Sequence, residues 1–199
     1  MKRGNVILLV LVLAAGVGIF MMASVLHNGL SARATPSALE AMFARHARQL
    51  AFPASAKSMA NPVPTTAETL RDARQHFADH CAICHGNDGS GDTMMGRGLY
   101  PKPPDLRLAE TQNLTDGQLF WVIENGVRFT GMPAFLTPGA ENDSWKLVAF
   151  IRHLPKLTEE ERMEMEQYNP KGPGDRQEEQ QEDDFLNGGA APKADSHQH

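Results

Sequence analysis

Cys81-Ala82-Ile83-Cys84-His85 is the stretch of this 199-residue chain whose residue types and spacing specify a chemistry. Two cysteines three residues apart on a helical turn present both sulfurs to the same side. A histidine directly after them can turn its imidazole toward whatever the sulfurs hold. C-x-x-C-H is the spacing of covalent haem c attachment, with Cys81 and Cys84 forming thioethers and His85 taking one axial site on iron. The chain has two cysteines, and both lie in this motif. A structural disulfide, a thioredoxin-type redox pair and half a zinc site are the competing readings. A thioredoxin pair follows a strand in a βαβ context, whereas a polar helix precedes this motif. Zinc needs two more ligands at matching spacing.

Haem iron takes a second axial ligand, and Met132 is the candidate. It stands between Gly131 and Pro133 in the segment Thr130–Phe135. Glycine lets backbone approach the haem, and proline stiffens the turn. A thioether opposite histidine raises the reduction potential. Methionine is more often a core filler, which is the reading for Met59, Met94 and Met95. Among the histidines, His80 adjoins Cys81 on the attachment side, His76 lies one turn back on a solvated face, and His153 suits the end of a helix. Bis-histidine ligation is the alternative.

The elements that must position these residues are helical. Glu68 to His80 carries Leu70, Ala73 and Phe77 on one stripe and delivers Cys81. Gly86 to Asp92 is loop chemistry. Leu99 to Leu106 holds three prolines, which excludes regular helix or central strand. Gly117 to Asn125 and Ser144 to Leu154 repeat apolar residues at helical spacing, stopped by Gly126 and Pro155. No segment alternates as a strand.

Phe77–Gly86, the proline-rich Tyr100–Leu106, Leu119–Gly126 with Gly131-Met132-Pro133, and Trp145–Leu154 together resemble the class I cytochromes c of the bacterial monohaem type. The resemblance covers about half of the chain. It implies an all-α domain around one covalent haem c, with the first and last helices crossing so that Ala73 and Phe77 face Leu147, Phe150 or Ile151. It also implies that a proline carbonyl accepts the proton of the axial histidine, and Pro103 and Pro104 both qualify. Trp121 and Trp145 read as pocket wall or packing.

Residues 5–27 form an uncharged apolar run. At 1.5 Å per residue, its 21-residue heart from Val6 to Leu26 reaches roughly 31 Å, one hydrocarbon core. Lys2 and Arg3 before it favour a cytoplasmic N-terminus. The run exceeds the usual signal-peptide core, so a retained single-pass anchor is favoured over a cleaved signal at Ala32-Arg33-Ala34. Either way the rest is exported, to the periplasmic side. No cysteine near residue 30 supports a lipid anchor.

Residues 28–66 read as an amphipathic arm and a Pro/Ala/Ser linker. Leu39, Met42, Phe43, Ala47 and Leu50 share a helical face, which would rest on lipid, on the haem domain or on a partner. As flexible chain the arm would span roughly 35 Å on average. Residues 67–157 are the haem domain, and 158–199 an acidic tail with room for one short helix from Glu159 to Gln167. The net charge is −5. From Thr158 onward there are twelve acids against four bases, so the tail carries −8 and the rest +3. Beyond Pro170 the composition cannot bury enough surface to fold. His197 and His199 are a weak metal-binding pair. No basic stripe with interleaved aromatics supports nucleic-acid binding.

These readings converge on a membrane-tethered monohaem cytochrome that passes single electrons between exported or membrane-bound redox partners and catalyses no bond chemistry. The alternatives are a fixed electron-accepting haem subunit of a membrane dehydrogenase or oxidase, and a ligand-binding haem with a labile sixth site.

Overall fold

The computed structural model describes residues 3–28 and 31–171. Within them the secondary structure is helical and no strand forms. In chain order the helices are α1 (Arg3–Asn28), α2 (Ala38–Ala51), α3 (Ala54–Ser58), α4 (Ala67–His80), α5 (Ala82–His85), α6 (Met94–Arg97), α7 (Ala109–Gln112), α8 (Asp116–Asn125), α9 (Glu141–His153) and α10 (Glu159–Glu166). A 3₁₀ turn, Leu154–Lys156, follows α9.

The pair α4–α9 is the spine of the domain. Thr66 caps α4 by accepting from the Thr69 N–H. Ala73, Phe77 and Ala78 are buried on α4, and Val148, Phe150 and Ile151 on α9. The Phe77 and Phe150 rings meet with centroids 5.2 Å apart, so the stripe expected to face α9 does so. Helix α8 starts on a capping box in which Thr115 and Gln118 satisfy each other's backbone N–H. It buries Leu119 and Ile123, and its Phe120 stacks on Trp145 of α9 at 4.1 Å. Arg152, in the last turn of α9, donates to Asp116 (2.9 Å), to the Gln112 carbonyl (2.6 Å) and to the Leu114 carbonyl. One guanidinium thus ties α9 to the junction of α7 and α8, satisfying carbonyls left open where α7 ends. Helix α9 begins at Glu141, three residues before the expected Ser144.

Two segments extend this core at either end. The stretch expected to be a free linker is not one throughout. Phe52 and Ala56 are buried, and Phe52 lies edge-on to Trp121 at 5.6 Å. The Ala56 carbonyl sits so near Gly117 that a Cβ there would come within 2.2 Å. Asn61 then donates to the Trp145 carbonyl at 2.9 Å. An aromatic ring and a small-residue contact outweigh the loop-forming prolines. At the other end α10 turns back on α4. Its Met165 is fully buried. Arg74, itself buried, pairs with Glu161 (2.8 Å) and with Glu164. His153 reaches Glu161 at 2.9 Å. The first residues after 157 therefore belong to the folded unit. The remainder of the acidic tail, with His197 and His199, lies outside the described residues.

Helix α1 stands apart. Its segment Gly4–His27, 24 residues, is long and apolar enough to cross a membrane, and none of its most apolar window is covered by the rest of the chain.

Candidate functional site

Helix α4 ends on Cys81, whose N–H still reaches the Phe77 carbonyl at 2.9 Å. The chain then makes one further helical turn, α5. The His85 N–H donates to the Cys81 carbonyl at 2.9 Å, and Gly86 closes the turn on Ala82 at 2.8 Å. Cys81, Cys84 and His85 are thus brought together on a single turn, as their spacing requires.

The turn is held from below by backbone. Gly91 donates to the His85 carbonyl at 2.7 Å. Thr93 Oγ1 donates to the Ile83 carbonyl at 2.8 Å and accepts from the Gly96 N–H at 2.8 Å. A Cβ at Gly96 would stand 2.7 Å from the Cys84 carbonyl oxygen, so only glycine lets α6 lie this close. Met94 and Met95 sit on that short helix and are exposed.

No disulfide joins Cys81 and Cys84. Burial, with the neighbouring Cys84 adding to it, pushes the Cys81 thiol up to about 12. Burial also raises Cys84. A redox pair relies on a depressed thiolate pKa, and burial at this turn acts in the opposite direction. His76 and His80 do stand at the H-x-x-x-H spacing that a zinc site would use, with ring centroids 4.9 Å apart on α4. Yet among the described residues no group of three or more His, Cys, Asp or Glu side chains is arranged to hold a metal ion.

His85 is the telling residue. Its Nδ1 is buried and meets no hydrogen-bond partner of good geometry. Burial pushes its pKa down, and the Pro104 carbonyl opposes that shift. The Pro103 carbonyl instead faces Gly91, where a Cβ would lie 2.7 Å from it. Of the two prolines that sequence could not separate, Pro104 is the one whose carbonyl acts on the imidazole, and Pro103 lies against Gly91. A buried ring nitrogen without a well-formed hydrogen bond is costly, which marks His85 as held for a purpose other than core packing.

Met132 lies half-buried in the loop after α8. Its N–H donates to Thr130 Oγ1 at 3.1 Å, and its carbonyl accepts from Val127 at 3.1 Å. Phe135 and Leu136 pin the loop to the α8 carbonyls of Ile123 and Glu124 at 3.0 and 3.1 Å. Gly126 enters it at φ 65°, ψ −169°, a region reserved for glycine. A Cβ there would meet the Met132 carbonyl oxygen at 2.7 Å and the Pro133 carbonyl carbon at 2.6 Å. Phe129 also adopts a left-handed backbone, φ 62°. Gly131 packs against the Leu99 side chain, which would lie 2.7 Å from a Cβ. Leu99 in turn hydrogen-bonds Gly96 at 3.2 Å. The methionine loop is thereby buttressed by the same segment that supports the Cys81–His85 turn. Trp145 belongs to the core, with Phe120 across its face, and Trp121 packs on Phe52.

Residues 68–151 match the family model described as cytochrome C oxidase, cbb3-type, subunit III. Residues 68–151 form a c-type cytochrome domain. Its chemistry is haem-based electron transfer, with haem c and its iron as the cofactor. The match begins one residue into α4 and ends two residues short of the end of α9. It thus spans the α4–α9 spine, the C-x-x-C-H turn and the Met132 loop. No curated protein matches the chain.

Sequence reasoning missed the docking of Phe52, Ala56 and α10 on this cytochrome domain. It also missed Thr93, Gly96 and Leu99 as the shelf beneath the site. The signal for Phe52 was a lone aromatic inside an otherwise small and polar stretch.

Proposed function

We propose that this chain is a membrane-tethered, monohaem electron carrier whose iron is ligated by His85 and Met132. Cys81 and Cys84 hold the one porphyrin as thioethers. The bound haem supplies the ferrous/ferric couple. His85 would hold the iron through the nitrogen away from Nδ1, leaving Nδ1 on the side of the Pro104 carbonyl, which would help to orient the ring. Met132 supplies the second ligand from a loop locked by Gly126, Gly131 and Pro133. With both axial positions filled, the protein catalyses no bond chemistry. Residues 67–157 make up the haem domain, with Phe52–Val63 and α10 packed on it. Helix α1 stays in the cytoplasmic membrane with the N-terminus inside, placing the domain on the periplasmic face among exported or membrane-bound redox partners.

The observation that carries this reading is the buried His85 Nδ1 on the same helical turn as Cys81 and Cys84. That combination suits covalent haem and an axial histidine better than a disulfide, a redox dithiol or zinc. Carbon monoxide tests it. The reduced, membrane-extracted protein is expected to keep its spectrum under carbon monoxide. A shifted Soret band would show an accessible sixth site and would replace the carrier with a ligand-binding haem.

The match to an oxidase subunit model favours a second reading, in which the same cytochrome domain is a fixed subunit of a membrane oxidase and passes electrons within it. Native electrophoresis of gently solubilised membranes separates the two. Comigration with terminal oxidase activity supports the subunit, and migration as a small free species supports the carrier.

A further inference from the structure

We propose that α2 is a membrane-surface helix, inserting Leu39, Phe43 and Leu50 at the lipid boundary while its opposite face carries the cytochrome domain. This rests on the reading that α1 remains in the bilayer.

The two faces of α2 have separate tasks. Toward the domain, Arg48 and Arg45 reach Glu110 at 3.4 and 4.0 Å. Gln118 donates to Gln49 at 3.3 Å, and the Tyr100 hydroxyl donates to Glu40. Leu39, Phe43 and Leu50 are 66%, 68% and 85% exposed. At 3.6 residues per turn, these three lie roughly opposite Arg45 and Arg48 around the helix. The polar side is therefore the side that docks, and the apolar side faces outward. That inverts the usual arrangement for a helix on a soluble domain, which buries its apolar stripe.

The covering must lie close to the end of α1. Nine residues separate Asn28 from Ala38, at most roughly 30 Å of extended chain. A turn closed by Ala34 on Ser31 at 3.1 Å shortens that span. From residue 31 to 56 the chain carries Arg33, Arg45 and Arg48 against Glu40 alone, and Glu40 is held by Tyr100. Arg45 and Arg48 are turned to Glu110, which leaves the exposed Arg33 between α1 and α2 to meet anionic headgroups beside the apolar face. Because α2 leads through buried Phe52 into α3, its insertion would fix the tilt of the domain on the membrane.

The test is spin-label accessibility in the full-length holoprotein, reconstituted in phosphatidylethanolamine/phosphatidylglycerol vesicles. Single cysteines replace Phe43, Leu50, Ala14 and Asn142; Cys81 and Cys84, consumed by haem, do not take the label. The optical spectrum of each variant checks its fold. The proposal expects the ratio of oxygen to nickel-chelate collisions at 43 and 50 to exceed that at 142 severalfold, approaching that at 14. Ratios at 43 and 50 equal to that at 142 would overturn it. Low collision with both reagents at 43 and 50 would also overturn it, by showing a protein on that face. A water-like ratio at 14 would instead remove the membrane-spanning reading on which it rests.

Discussion

His85 and Met132 are held by different devices, and this decides how each fails. His85 sits on a helical turn with its N–H and carbonyl tied to Cys81 and Gly91, so its position follows that of the two cysteines. Met132 depends on a loop whose entry needs a residue without Cβ. Gly126 occupies a backbone region costing other residues about 1–3 kcal/mol, and a methyl there would collide with the Met132 carbonyl. Gly126→Ala is expected to lower stability by about 2 kcal/mol in denaturant titration. If Met132 ligates the iron as proposed, the substitution should also weaken the far-red absorption of the ferric haem before any loss of helicity. Full stability with an unchanged far-red band would show that the loop does not depend on this glycine.

At the scale of elements, α10 is secured by charge. The Glu161 carboxyl is raised by its own burial, but the His153 hydrogen bond, the Thr158 N–H and the His153 and Arg74 charges outweigh this and hold it below its ordinary value of 4.5. A carboxylate depressed in the fold contributes stability above its ordinary pKa, and that contribution disappears as pH falls through the folded value. Wild-type stability is therefore expected to drop on acidification below about pH 4.5, and Glu161→Gln should drop less steeply. Parallel pH profiles would remove Glu161 as the acid-sensitive latch. The elements were legible to unequal degrees. Helices α4, α8 and α9 carry an apolar stripe with a cap or a stop, so periodicity found them to within three residues. The C-x-x-C-H turn and Gly131-Met132-Pro133 announce themselves by residue type. Phe52, Ala56 and Met165 do not. Each is a single apolar residue amid polar or small neighbours, and only the cavity it fills identifies it as core. The choice between Pro103 and Pro104 was similarly hidden, because it depends on which carbonyl lies toward the His85 ring and which against Gly91.

For the whole molecule, the packed stretch Phe52–Val63 shortens the free connection between α1 and the cytochrome domain. A freely swinging arm of some 40 residues, as read from composition, becomes a short connection from α1 to a helix seated on the domain. The haem would then meet membrane partners from a limited set of heights and orientations. Replacing α1 by a cleavable export signal is expected to leave the haem spectrum intact and to lower electron flux in membranes. Undiminished flux would mean that the anchor serves export alone.

The central claim is the axial pair on iron, and the most direct measurement is the far-red spectrum of the oxidised protein beside Met132→Ala. His85/Met132 ligation predicts a weak far-red band in the wild type, its loss in the variant and a lower reduction potential there, since methionine opposite histidine raises the potential. A wild type without the band, and a spectrum and potential indifferent to the substitution, would contradict the account and place another group, or none, opposite His85.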